Sequence, residues 1–278
     1  MLKYINRNEE LTKDEYLEIT SYVLPLQTKT SEYFNIPLKD LRWHHYVKYC
    51  TEKLGYEILY YDYGDTASKV ISGRTRLIDG VVSIIVNKNH THNSGRQHFT
   101  TLHEIAHGFW HLEKGKIDKV FFSAKTIPAP NDDRSEIEAD ILGSIMMISD
   151  QAILAEMKHN PTFIGLCSTF ECSYANLLMR LKNYLVFNLD MNEKYALKLI
   201  LNYRDYDDTT ICEVISHLSS FKYFFIHTEM FKDIYFLNNE TVSRMIERYI
   251  IFTHSKISEN AKKIIAAAIL YFNETITV

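Results

Sequence analysis

The segment LHEIAHGFWH, residues 102–111, constrains the fold more than any other part of the sequence. His103 and His107 are four residues apart, and two residues at that spacing project from the same side of a helix. They can therefore share one metal ion, and imidazole nitrogen is a usual zinc ligand. Glu104 lies ~100° around the helix axis from His103, which can place its carboxylate beside a water on the metal. The spacing predicts a helix that carries two metal ligands and one general base.

The segment RSEIEAD, residues 134–140, can supply a third ligand from a second helix. Glu136 would complete a site of two histidines and one carboxylate, in which the fourth zinc position stays open to water. Asp140, one turn further on, can accept the second ring N–H of a ligand histidine and fix its tautomer. Ala139 and Gly143 fall on the same side as Glu136. These small residues predict a close approach of the two helices.

Two other residues compete for the metal. Glu138 lies ~200° around the helix from Glu136, so only one of these carboxylates can face the ion. We favour Glu136, because Asp140 shares its face, and we expect Glu138→Ala to leave metal affinity nearly unchanged. His111 continues the stripe of the two histidines, but another turn carries it ~6 Å further along the axis. A structural role at the helix end is therefore favoured for His111.

Charge and composition exclude several classes of protein. A net charge of −4 gives no electrostatic footprint for nucleic acid. No stretch approaches the ~20 apolar residues of a membrane span, and the charged N-terminus lacks the apolar core of a secretory signal. The four cysteines form no CxxC pair, which argues against a thiolate metal site and a disulfide framework. We expect a cytoplasmic protein with reduced cysteines and no direct nucleic-acid or membrane contact.

Several sequence elements occur in an order that resembles the ImmA/IrrE family of metallopeptidases. The strand-like IIVN is followed by RQHFTTLHEIAHGFWH and then by EIEADILGSIMM, and the resemblance covers roughly residues 70–185. It implies that His103, His107 and Glu136 bind Zn²⁺ and that Glu104 is the catalytic base. Family members commonly cleave a helix-turn-helix repressor.

The resemblance and the residue patterns together predict an α+β fold. Residues 55–63 and 69–87 are rich in β-branched and aromatic residues, and Asp79-Gly80 between two apolar runs indicates a hairpin. We expect a small antiparallel sheet packed on a zincin-like pair of active-site helices. The apolar run 81–87 is either an ordinary half-buried strand or a strand that pairs with an extended substrate. Helices are predicted at 38–54, about 95–113 and about 134–148.

The chain beyond Asp150 has an almost wholly helical pattern. We predict a metallopeptidase domain over residues 1–188, with an N-terminal helical segment, and a helical accessory domain of unknown role over residues 189–278. No metal-ligand constellation is visible in the second of these domains.

The expected function is zinc-dependent endopeptidase activity on a helix-turn-helix transcriptional repressor, which would derepress a mobile element, a prophage or stress genes. The alternative is a zinc-containing regulatory protein that sequesters a transcription factor without proteolysis. Glu104 weighs against this alternative, because a binding protein does not need the base. A DNA-binding regulator would need a basic recognition helix, and the helix with Arg180 and Lys182 offers only two such charges.

Overall fold

The computed structural model describes residues 11–64, 71–88, 94–112, 121–124, 133–227 and 238–276. The chain divides into two compact units. Unit 1 contains the described residues of Met1–Ala152 and Cys167–Arg180, and unit 2 contains those of Ile153–Leu166 and Leu181–Val278. The predicted domain boundary between residues 188 and 189 stays a prediction.

The first part of the chain combines helices with one sheet, which confirms the predicted α+β class. Its helices are α1 (Lys13–Ser21), α2 (Leu24–Phe34), α3 (Trp43–Lys53), α4 (Ser94–Ala106) and α5 (Asp133–Met147). Helix α4 continues into a π-helical turn over His107–Leu112. The strands are β1 (Glu57–Tyr61), β2 (Ile71–Ile78), β3 (Val81–Asn87) and β4 (Phe121–Ala124). Three further helices follow: α6 (Asp150–Met157), α7 (Phe163–Thr169) and α8 (Tyr174–Asn183).

The sheet has the strand order β1-β3-β2-β4. Strands β2 and β3 form the predicted hairpin, and Asp79 and Gly80 both have positive φ angles, 50° and 81°, as a tight hairpin turn requires. Strand β4 is antiparallel to β2, but β1 is parallel to β3. The sheet is therefore mixed and not wholly antiparallel as predicted. The reason is that the returning strand β3, and not β2, lies beside β1, so the neighbours run in the same direction.

Strand β3 is an inner strand. It pairs with β1 from Ser83 to Asn87 and with β2 from Val81 to Val86. Both of its edges are therefore hydrogen-bonded within the sheet, and Ile84 and Val86 are buried. The interpretation of residues 81–87 as a substrate-pairing strand is wrong, because a peptide cannot add to an edge that is already paired.

Small residues bring α4 close to its neighbours. A Cβ atom added to Gly143 of α5 would lie 3.1 Å from the backbone nitrogen of His103, and Ala139 is fully buried. The predicted close approach of the two helices is thus confirmed. At the start of α4, a Cβ on Gly95 would lie 2.5 Å from the carbonyl carbon of Cys172. Side chains larger than hydrogen at these two glycines would push the backbones apart.

Unit 2 is helical. Its longer helices are α9 (Glu193–Tyr206), α10 (Thr210–His227), α11 (Asn239–Thr253) and α12 (Glu259–Ile276). Asn192 and Asn238 cap α9 and α11, because their side-chain oxygens accept backbone N–H groups of the first turn. Throughout the described ranges, no helix is long and apolar enough to cross a membrane. The four cysteines are free and buried, as predicted.

Candidate metal centre

Three predicted ligands meet between α4 and α5. The Nε2 atoms of His103 and His107 are 3.0 Å apart. The two carboxylate oxygens of Glu136 are each 3.4 Å from one of these nitrogens. Ligands held ~2.0–2.1 Å from a tetrahedral zinc ion lie ~3.3 Å from one another. One ligand atom from each of the three residues lies within 4.8 Å of the other two, so the group could hold one metal ion. Two imidazole nitrogens and one carboxylate oxygen are also a donor set that zinc accepts.

The same three side chains shift one another's pKa values. Burial disfavours a charge on His103, but its hydrogen bonds to Asp140 and Glu136 outweigh burial and raise its pKa well above 6.5. Burial lowers the pKa of His107 to about 3. Although burial also opposes the charge on Glu136, the hydrogen bonds from both histidines hold its pKa below the usual 4.5. The pKa shifts of His103 and Glu136 have a common cause, because a positive charge on His103 and a negative charge on Glu136 stabilise each other.

Asp140 lies behind His103. Its Oδ1 accepts the ring Nδ1–H of His103 at 2.9 Å. This contact leaves Nε2 of His103 directed toward Glu136 and His107. The sequence places Asp140 one turn after Glu136, and the structure brings it to the ring that it was expected to orient.

Glu104 is fully buried, and its carboxylate lies against β2. The hydroxyl of Thr75 donates to Oε2 at 2.6 Å, whereas Oε1 has no hydrogen-bond partner among the described residues. A Cβ added to Gly73 would lie 2.5 Å from Oε1. Burial raises the pKa of Glu104 to about 7, against the opposing effects of His103 and Thr75. Strand β2 thus holds one carboxylate oxygen and leaves the other unbonded.

Thr75 and Gly73 were missed by sequence reasoning. Their spacing of two residues places them on one face of a strand, which is the only local signal for a common role. Nothing in the sequence links that face to Glu104, which lies on α4, after the intervening strand β3.

The two competing residues, Glu138 and His111, contact each other. Oε2 of Glu138 accepts from Trp110 Nε1 at 3.0 Å and lies 3.1 Å from Nε2 of His111. Nδ1 of His111 is 3.0 Å from Nδ1 of His107, on the side of that ring away from Glu136. The described atoms that can share a metal come from His103, His107 and Glu136. This geometry favours Glu136 over Glu138 and over His111 as the third ligand, and the assignment of the ligands stays a prediction.

The two basic residues considered for DNA recognition are buried. Arg180 donates to the carbonyl of Ile148 at 2.8 Å and to the carboxylate of Asp150. Lys182 is paired with Glu193 at 2.7 Å. Buried, paired cations are not available to a phosphate backbone, and the expectation of no direct nucleic-acid contact stays a prediction.

Comparison with known families gives one match. Residues 51–182 match the Peptidase M78 family model, the IrrE N-terminal-like domain. That range contains strand β2, which contacts Glu104, and both helices of the candidate metal centre. No curated protein and no solved structure matches the chain. The resemblance to ImmA/IrrE proteins is confirmed: the segment 51–182 belongs to the IrrE N-terminal-like, Peptidase M78 family, and the chain is a metallopeptidase.

Proposed function

We propose that this chain is a zinc-dependent endopeptidase that cleaves a helix-turn-helix transcriptional repressor and so derepresses genes of a mobile element, a prophage or a stress response. One observation supports peptide hydrolysis as the activity. Glu104 is fully buried on α4 directly after the predicted ligand His103, and its Oε1 has no hydrogen-bond partner among the described residues. A general base is thus held beside a group of metal ligands.

The donor set supports zinc as the metal, since His103, His107 and Glu136 offer two imidazole nitrogens and a carboxylate oxygen close enough together to hold one ion. A zinc ion there would lower the pKa of a water and polarise a peptide carbonyl. Both imidazoles would bind such an ion in the neutral form, because a ligand histidine must be deprotonated at the nitrogen that binds the metal.

Glu104 moves the proton in this proposal. Its pKa of about 7 suits a general base, because a group that must take and return a proton works best when its pKa lies near the operating pH. Thr75 holds Oε2, so Oε1 is the atom that accepts a proton from the attacking water. Glu104 then passes this proton to the leaving amine. Asp140 keeps the ring of His103 in place during both steps.

The sheet offers an edge for an extended substrate. Among the described strands, β1 and β4 are the outer ones, and β4 lies beside β2, the strand that contacts Glu104. Its register places Ser123 opposite Gly73 and Phe121 opposite Thr75. A peptide that adds to the outer edge of β4 would be bound through its main chain near the base. This edge replaces β3 as the candidate substrate strand.

The family resemblance supports a helix-turn-helix repressor as the substrate, since ImmA/IrrE proteins commonly cleave such repressors. The test incubates the purified protein with the repressor encoded beside its own gene. The parent should cut the repressor at one or a few bonds, and both a zinc chelator and Glu104→Gln should abolish the cleavage. Restoring zinc after chelation should restore it.

Three outcomes of this experiment separate the hypotheses. Binding without cleavage would favour the sequestering protein instead. Cleavage of other unfolded or regulatory proteins, but not of this repressor, would retain the peptidase and reject the substrate. Cleavage that survives complete zinc removal would reject the metal-dependent mechanism.

A further inference from the structure

The two histidine ligands differ in what lies behind their rings. Nδ1 of His103 meets the carboxylate of Asp140 directly, at 2.9 Å. Nδ1 of His107 meets a second imidazole, that of His111, at 3.0 Å. Nε2 of His111 in turn lies 3.1 Å from Oε2 of Glu138. His107 is therefore connected to a carboxylate through one intervening ring.

Only one distribution of protons satisfies these contacts when Nε2 of His107 binds a metal. That nitrogen must then be unprotonated, so Nδ1 of His107 carries the hydrogen and donates it. Nδ1 of His111 must accept, and its Nε2 must carry a hydrogen that it donates to Glu138. Each ring is thereby held in a single tautomer.

The intervening ring is as buried as the ligand itself. His111 is 2% exposed and His107 is 1% exposed, and their ring centroids are 4.9 Å apart. Both belong to the π-helical turn His107–Leu112, a type of turn that is frequent at functional sites. A buried imidazole needs its hydrogen bonds, because the polar atoms would otherwise lose their hydration without compensation.

Glu138 is held by groups from three directions. Besides His111, its carboxylate accepts from Trp110 Nε1 at 3.0 Å and from Arg134 Nε at 3.2 Å. Arg134 also contacts Glu15 of α1 at 3.1 Å. A carboxylate fixed in this way can orient the ring that it accepts from.

We propose that His111 is a positioning residue which, together with Glu138, fixes the tautomer and orientation of His107 and thereby raises zinc affinity without touching the metal. The proposal rests on the proposed zinc site. It replaces the sequence-based expectation that loss of Glu138 leaves metal affinity unchanged. Hydrogen-bond partners of this kind are worth roughly 10- to 100-fold in metal affinity.

The principal test is His111→Phe, which keeps an aromatic ring and removes both hydrogen bonds. We expect zinc affinity to fall by roughly 10- to 100-fold, measured by competition with a chromogenic chelator. The visible spectrum of the cobalt-substituted protein should shift, because the ligand field depends on the orientation of His107. The matched control is His98→Phe on the same helix. His98 bonds to the carbonyl of Glu171 and not to a ligand, so its replacement should leave both readouts unchanged.

Conservative variants distinguish positioning from packing. His111→Asn keeps a hydrogen-bond acceptor near the position of Nδ1 and should retain more zinc affinity than His111→Phe. Glu138→Gln keeps an acceptor for His111, so it should lose less affinity than Glu138→Leu. Circular dichroism would reveal whether His111→Phe folds. If it does not fold, these two comparisons still test whether His111 and Glu138 position His107.

The parent protein and His107→Ala are measured alongside these variants. If the parent binds no zinc, or if His107→Ala binds it as tightly as the parent, the zinc site itself is wrong and this inference falls with it. If the parent binds zinc through His107 but folded His111→Phe matches His98→Phe in affinity and spectrum, the proposed function stands and the positioning role is rejected. Equal affinities for the conservative and disruptive variants at both positions would reject it as well.

Discussion

The two units of this chain have cores of different chemistry. Nearly all the buried polar side chains among the described residues lie in unit 1, and the two that lie in unit 2 are Lys182 and Asn183. The interior of unit 2 is otherwise built from apolar side chains such as Ile215, Leu218 and Val242. Burying polar groups costs free energy unless each one is hydrogen-bonded, so stability alone gives no reason to place them in a core.

Some polar side chains of unit 1 are paired around the candidate metal centre. Thr75 bonds to Glu104, Asp140 to His103, and His111 to His107. Unit 2 is stabilised by burial of apolar area. We therefore predict that substitutions at the candidate metal centre of unit 1 change zinc binding and hydrolysis. Substitutions in the apolar core of unit 2 should instead change stability.

Glu136→Ala should have the largest effect on the metal centre. It removes a charged ligand and leaves two imidazoles, so zinc affinity should fall by more than the roughly 10- to 100-fold expected for Asp140→Ala, which acts through His103. Zinc content after dialysis against a weak chelator measures the ranking. Glu247→Ala, at an exposed position of α11, is the control. Retention of zinc by the Glu136 variant would contradict the assignment.

Glu104→Gln should lower peptide hydrolysis by at least ~100-fold, because an amide cannot serve as the base. Zinc should be retained, since Glu104 is not a ligand. Rates on a cleavable peptide, together with metal content, provide the measurement, and Glu247→Gln should behave like the parent. A rate equal to that of the parent would show that the base is another residue.

Gly73→Ala should displace the carboxylate of Glu104, because the new Cβ would lie 2.5 Å from Oε1 and 2.8 Å from Cγ. A misplacement of about 1 Å can cost up to ~100-fold in rate, so hydrolysis should fall while zinc affinity is preserved. Gly165→Ala is the control, since its Cβ would meet the hydroxyl of Thr162 at 3.1 Å, far from β2 in the sequence. Equal rates for the two variants would mean that the space at Gly73 is not needed.

Ile215→Ala should have the smallest effect on the metal centre and a large effect on stability. Ile215 is fully buried in unit 2, and its truncation should lower the free energy of unfolding by ~2–5 kcal/mol. Urea unfolding measures this change, and zinc affinity measured on the folded variant should equal that of the parent. A folded variant that has lost zinc would contradict the prediction that the core of unit 2 affects stability and not zinc binding.

The sequence by itself determined the local chemistry. Helical periodicity alone places His103 beside His107, and Glu136 on the same face as Asp140, because residues three or four apart on a helix are neighbours. The hairpin at Asp79-Gly80 was likewise predictable, since two adjacent residues with positive φ favour this dipeptide. These features depend on contacts between residues that are close in the chain.

Only the tertiary structure decided which distant groups meet. The pairing of β1 with β3 leaves β3 without a free edge, and no local pattern specifies which strand lies between two others. The contact of Thr75 with Glu104 joins residues 29 positions apart, and that of His111 with Glu138 joins residues 27 apart. Side-chain periodicity gives the face of each element but not the element that packs against it. The packing of the whole core determines which elements meet. In this structure it places Glu138, which the sequence offered as a rival ligand, against His111.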